Sequence, residues 1–258
     1  MFEDMCVLYA YMRLTDDLGD QPGSSFDQRR EALRVWKNQL NRALSVQVIP
    51  DDPLWLAMRE LVERRQIPQQ LFLDVISGVE SDLSPRRFAD FIALQRYCYH
   101  VAGVVGLACL HVWGFDESAE ARDLAITCGL AFQLTNILRD LGEDAQQGRV
   151  YIPQDILEKH GCCESAFLER SASNAVRSVV REMLDEAARL LEESRNLEPH
   201  LSHDGRRMFR AMCRTYKAIQ ASIVRADYDV LKTRASVPTW TVFQIIGSCL
   251  WNRWFGTA

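Results

Sequence analysis

Apolar residues recur three and four positions apart along most of the chain, the spacing that gathers them on one face of an α-helix. The first stretch, 1–20, reads as a helix and ends at Pro22 and Gly23. A second, 28–46, entered through Phe26 and Asp27, carries Leu33, Trp36, Leu40 and Leu44 as its buried stripe. Pro50 and Pro53 break the chain before a third at 54–65. Pro68 opens a fourth at 69–82, where its missing N–H does no harm. A long helix is predicted over 87–113. Its centre, Val101 to Cys109, is wholly small or apolar. After Gly114 a helix over 118–142 has Ile126, Leu130, Phe132, Leu134, Ile137, Leu138 and Leu141 on nearly all sides, the mark of a buried helix. Two amphipathic helices follow, at 172–197 and 204–233; the second holds Phe209, Met212, Tyr216, Ile219 and Ile223. The fold class is all-α, in one domain spanning 1–258.

The buried helix at 118–142 leads into a polar row. Asn136, Asp140 and Asp144 are each four residues apart, and Gln133 joins them three residues earlier, so all four fall on one side. Carboxylates on a buried helix are costly without a cationic partner. Oxygen ligands in a row suit a hard cation, and Mg²⁺ binds through one or two carboxylates together with substrate phosphates. A second acidic group closes the first helix: Asp16 and Asp20 are four apart, with Asp17 between them. Negative charge at a helix C-terminus is unfavourable on its own. The two groups together predict facing acidic walls, with Asp16, Asp20, Asn136, Asp140 and Asp144 as metal ligands for a diphosphate. Arg149 and Tyr151 lie in the loop after this row. Arg suits forked bonds to phosphate, although Arg149 could equally pair with Glu143 or Asp144, and Arg139 with Asp140. Gly103 and Gly106 serve close helix packing, room for a long substrate, or both.

DDLGD at 16–20, YCYHVAGVVG at 97–106 and FQLTNILRDLGEDAQQGRVYIP at 132–153 together resemble the squalene/phytoene synthase family of head-to-head prenyl transferases, in order and over nearly the whole chain. The resemblance implies an isoprenoid-synthase-type helical bundle around a central hydrophobic cavity. It implies catalytic roles for Asp16, Asp20, Asp140, Asp144, Tyr97 and Tyr216, and substrate binding by Arg13, Asp17, Gln133, Asn136, Arg139, Arg149 and Tyr151. The residues alone also allow Tyr216 to be a core tyrosine. The implied cofactor is Mg²⁺, or Mn²⁺ in its place, with NADPH needed only if the product is squalene. The implied reaction joins two prenyl diphosphates 1′-to-1. The reading leans to farnesyl diphosphate and a presqualene diphosphate or squalene-type C30 product, with geranylgeranyl diphosphate to phytoene as the alternative. A terpene cyclase or a non-catalytic helical protein stands behind both. Only fifteen residues precede Asp16, so the opening helix and lid of the family are expected to be missing.

Composition narrows the partners. The chain is 48% hydrophobic and 25% charged with a net charge of −5, and no basic stripe invites nucleic acid. The eight cysteines form no CxxC pair and read as small core residues of a reducing compartment. His100 and His111 are expected in the core, and Asp227 and Asp229 in surface pairs with Arg225, Lys232 and Arg234. The start, Met-Phe-Glu-Asp, has no basic n-region of a signal peptide, which points to the cytoplasm. The tail after Pro238, with Trp240, Trp251 and Trp254, is either a closing helix or a peripheral contact with the inner face of a membrane.

Overall fold

Every long helix foreseen from the apolar spacing forms. A computed structural model of the protein describes residues 1–45, 52–84, 86–232 and 235. The Trp-rich tail, and with it the expected membrane contact, lies outside the described residues. The helices are α1 (Phe2–Gly19), α2 (Phe26–Ala43), α3 (Pro53–Arg65), α4 (Gln69–Ser81), α5 (Phe91–Cys98), α6 (Val104–Trp113), α7 (Ala119–Gln146), α8 (Gln154–Lys159), α9 (Ser165–Leu168), α10 (Asn174–Glu193) and α11 (His203–Arg225). A π-helical segment, Tyr99–Gly103, joins α5 to α6, and a 3₁₀ helix, Ser194–His200, follows α10. Among the described residues no strand forms beyond one isolated antiparallel bridge, Phe115 with Leu201. No helix among them is long and apolar enough to cross a membrane.

Boundaries moved where side chains cap helices. Ser25, one residue before the expected Phe26 and Asp27, begins α2 through a capping box with Gln28. The long helix starts at Phe91 because Asp90 accepts from the Ala93 N–H. α7 runs through Gly142 to Gln146, so Asp144 is part of the helix. α11 stops at Arg225, and Asp227 and Tyr228 follow in the left-handed region. Asp227 bonds Arg177 of α10, a surface pair with a different partner from those expected. His100 is exposed and so is no core group, whereas the half-buried His111 meets the Arg65 carbonyl at 3.2 Å.

α7 is the axis of the larger half. It packs against α5, α6, α9, α10, α11, the π segment and the 3₁₀ helix. α1, α2, α3 and α4 pack on one another, and α4 joins them to the π segment and α6. Two glycines set how close α6 and the π segment come to α7. A Cβ at Gly106 would lie 2.6 Å from the Ala125 carbonyl oxygen, and one at Gly129 would lie 2.5 Å from that of Ala102. Backbone therefore meets backbone there. Gly103 is less crowded, its Cβ position being 3.1 Å from the Tyr99 ring. Polar ties cross the interior: Gln220 Nε2 donates to Thr135 Oγ1 at 3.0 Å, and the buried Asp4 accepts from Arg64 at 2.5 Å and Arg65 at 2.6 Å, fastening α1 to α3.

Candidate active site

The α1 stripe Leu8, Tyr11, Thr15 and Gly19 is buried, which turns the adjacent Asp16 and Asp20 along the flank of the helix toward α7. The row Gln133, Asn136, Asp140 and Asp144 faces them. All six side chains line one cleft of about 250 Å³, closed by Asp82 after α4, Tyr97 of α5, and Arg149 and Tyr151 of the loop after α7. The two acidic walls thus meet although more than a hundred residues separate them. Arg149 spans the gap: its guanidinium bonds Asp20 at 2.9 Å, while its backbone N–H donates to the Asp144 carbonyl at 2.9 Å. Arg139 is clamped on its neighbour Asp140 by two hydrogen bonds, at 2.9 and 2.5 Å. Arg13 and Asp17 bond each other at 2.7 Å on the exposed side of α1, and neither lines the cleft, although Arg13 also comes within 3.7 Å of Asp16 at its edge. Asp17 is one residue from Asp16, about 100° round the helix.

Crowding of carboxylates shows in their acidity. Burial, then the neighbouring Asp140, pushes Asp144 up to about 7, although Arg149 opposes this. Burial raises Asp82 to about 6 against the pull of its bond from Tyr97. Asp16 is raised too, by desolvation within the cleft and then by Asp20, although its side chain is half exposed. Burial alone would lower Arg149, but its bond to Asp20 together with the nearby Tyr151 and Asp82 outweighs that and keeps the guanidinium charged. The Asn136 amide oxygen, in the middle of the row, is buried without a hydrogen-bond partner. Such orphaned acceptors are rare in folded proteins. An unpartnered oxygen among acidic groups that hold protons too tightly fits a hard divalent cation. Among the described residues no three His, Cys, Asp or Glu side chains gather closely enough to hold an ion by themselves. Mg²⁺ there would complete its shell with substrate phosphate oxygens and water.

Below the cleft lies an apolar hollow of about 200 Å³, and Gln133 and Asn136 border both. Val101, Val105 and Cys109 form one wall, Ala125, Cys128 and Phe132 of α7 another, and Met212 of α11 a third. Tyr216 stacks on Phe132, centroids 3.7 Å apart, and lines the hollow rather than the cleft. Its two expected settings coincide: it is a packed tyrosine that also borders the cavity. Gly106 and Gly129 line the hollow as well, so close packing and open space are one feature. Tyr97 is buried against Phe88, at 5.4 Å, and Tyr151, at 5.5 Å, which also meet each other at 6.3 Å. Its hydroxyl donates to Asp82 at 2.7 Å. Asp82 escaped sequence reasoning; the signal available was an acid directly after an apolar helix whose last turn holds no basic residue. A larger groove of about 480 Å³ lies between α10 and α11, but there Glu198 and Arg210 already satisfy each other, and neither acidic row reaches it.

The chain as a whole is similar to known proteins. A 15-cis-phytoene synthase of Synechococcus elongatus is 34% identical over 245 residues, covering 91% of this chain and 79% of that protein. A phytoene synthase of Arthrospira platensis is 35% identical over 246 residues with the same coverage. The chain spans 55% of a chloroplastic phytoene synthase of Zea mays. Among solved structures, a dehydrosqualene synthase with bound ligand superposes with a TM-score of 0.86 at 27% identity, covering 96% of this chain and 85% of that one. A squalene synthase from Alicyclobacillus acidocaldarius gives 0.80 at 27% identity, covering 87% and 83%. The sequence profile of squalene/phytoene synthase matches residues 1–241, and the chain belongs to that family of prenyl transferases.

Proposed function

We propose that this protein joins two molecules of geranylgeranyl diphosphate head to head to give phytoene, with Mg²⁺ as cofactor. The observation that carries the prenyl-diphosphate reading is the meeting of two acidic walls at the mouth of an apolar hollow. The choice of the C20 substrate rests on the relatives, which at 34–35% identity are named phytoene synthases. It replaces the leaning to a C30 product drawn from the sequence. The C15 reading is kept second, because the solved structures similar to this chain are squalene and dehydrosqualene synthases.

Asp16, Asp20, Asn136, Asp140 and Asp144 would hold Mg²⁺, whose role is to neutralise the charge developing on the departing diphosphate. Arg139 and Arg149 supply forked donors to phosphate, which requires Arg139 to exchange its bonds to Asp140, and Arg149 its bond to Asp20, for bonds to the substrate. Gln133 and Asn136 stand where the diphosphate ends and the prenyl chain begins. The apolar hollow keeps water from the allylic cation. The ring faces of Tyr97 and Tyr216 attract that cation. Formation of phytoene consumes no reductant, so NADPH is not required on this reading.

The test offers C15 and C20 diphosphates together, with Mg²⁺, and reads product carbon number by mass spectrometry. A C40 hydrocarbon is expected. A C30 product would overturn the substrate choice, and a C15 hydrocarbon would overturn the reaction class in favour of a cyclase.

A further inference from the structure

Asp82 has no place in either acidic row, yet its carboxylate lines the same cleft. It sits one residue beyond α4 and accepts the Tyr97 hydroxyl at 2.7 Å, a length typical of a charge-assisted bond. Phe88 and Tyr151 pack against the Tyr97 ring and against each other, an aromatic cluster that already orders the ring before the hydrogen bond is counted. A half-buried carboxylate is a costly means of ordering one hydroxyl, and an amide would do the same at less cost in desolvation. The charged groups facing Asp82 are Arg149 and Arg86, which favour its ionised form, and Asp20 and Asp144, which oppose it. Arg86 itself lies 5.8 Å from the centre of the Tyr97 ring. What an ionised Asp82 adds is negative charge behind an aromatic ring whose hydroxyl end meets the cleft.

We propose that Asp82 is a positioning residue for Tyr97: its carboxylate, by accepting the phenolic hydrogen bond, enriches the Tyr97 oxygen and ring in electron density for the cation that forms in the cleft. The inference rests on the prenyl-transfer reading above and deepens it. A phenol bonded to a carboxylate is a stronger cation–π host than a free phenol, and the effect is largest where water is excluded. The interaction exists only once positive charge develops, so it acts on the transition state and leaves ground-state binding nearly untouched. The competing role is that Asp82 acts as another carboxylate for Mg²⁺, together with Asp20 and Asp144.

The experiment uses the full chain with Mg²⁺ and whichever prenyl diphosphate the wild type converts. It compares wild type, Asp82→Asn, Asp82→Glu, Tyr97→Phe and the Asn/Phe double variant. Asn keeps an acceptor oxygen and removes the charge. Its kcat should fall roughly 10- to 100-fold, as for loss of one preorganised electrostatic contact. KM and the half-saturating Mg²⁺ concentration should stay within about threefold of wild type. The double variant should be no slower than Tyr97→Phe alone, since the two act as a unit. Glu should recover part of the lost kcat. Binding of an unreactive thio-diphosphate with Mg²⁺, followed by calorimetry, checks that each variant is folded. Near-normal kcat in Asp82→Asn, additive losses in the double variant, or a loss seen in KM or in Mg²⁺ demand would each overturn the proposal. The last would assign Asp82 to the metal. A wild type that makes no head-to-head hydrocarbon from either C15 or C20 substrate refutes the reaction itself, and this inference falls with it.

Discussion

Replacing Asp144 with Asn should make the metal-free protein more stable while destroying its activity. Burial and Asp140 hold the Asp144 carboxyl at about 7 against an ordinary value of 3.8. Between about pH 4 and 7 the folded protein therefore keeps a proton that the unfolded chain has released. Where the folded state binds more protons, stability falls as pH rises. The gap from 3.8 to about 7 corresponds to about 4 kcal/mol, at about 1.36 kcal/mol per pKa unit. Asp144 is partly open to solvent, so screening reduces this to about 2 kcal/mol. Asn never ionises and escapes the penalty. Urea unfolding in EDTA at pH 4.5, 6 and 7.5 should show Asp144→Asn ahead by about 2 kcal/mol at pH 7.5, with the gap closing toward pH 4.5. Adding Mg²⁺ and a thio-diphosphate should then stabilise wild type and leave the variant unchanged. A variant less stable than wild type at pH 7.5, or a gain that does not shrink on acidification, would refute the claim that this site stores electrostatic strain for its ligand.

Asp4 should behave in the opposite way. Burial raises its carboxyl, but hydrogen bonds from Arg65 and Arg64 outweigh it and bring the value to about 2. The resulting stability is present above pH 3.8 and is lost as pH falls toward 2. Asp4→Asn should cost about 2 kcal/mol at pH 7, and the two proteins should converge near pH 2 in urea titrations. Gly129→Ala would place a methyl 2.5 Å from the Ala102 carbonyl oxygen. Overpacking of about 1–3 kcal/mol, less the better helix propensity of Ala, should lower Tm by roughly 2–6 °C; an unchanged Tm would mean that the π segment and α7 part freely. Asp16→Ala and Asp140→Ala should each lower kcat by roughly 10²–10³ or more with unchanged circular-dichroism melts. Chelation of Mg²⁺ should do the same reversibly, and near-normal turnover in either variant would remove that residue from the site.

The helices and the two rows were legible because they are local. Asp16 with Asp20, and Asn136 with Asp140 and Asp144, are fixed by one helical period, and apolar neighbours announced that α7 is buried. Partnerships across the fold were not legible. Arg149 has Glu143 and Asp144 close by in sequence but its guanidinium bonds Asp20, 129 residues away, because the loop after α7 folds back over the cleft. Asp82 was invisible for the same reason: its meaning comes from Tyr97, which no local pattern connects to it. Arg13 and Asp17, in the same acidic stretch as Asp16, bond each other outside the cleft lining, while Arg13 also lies 3.7 Å from the Asp16 carboxylate. Helix ends moved wherever a Ser or Asp cap, or a left-handed residue such as Asp227, outweighed hydrophobic spacing.

The π segment at Tyr99–Gly103 works as a register shifter. The N–H of Val104 reaches back to the Tyr99 carbonyl, five residues away, so the segment holds one residue more than an α-helical turn needs. On an unbroken α-helix at 100° per residue, Cys109 would lie about 120° and Trp113 about 160° round from Tyr97. The additional residue takes back about 100°. Tyr97 at the wet mouth and Cys109 and Trp113 in the oily interior then fall on one side of a single rod. Deleting one residue from this turn would leave the hydrophobic composition almost intact and turn the two ends of the reaction chamber away from each other.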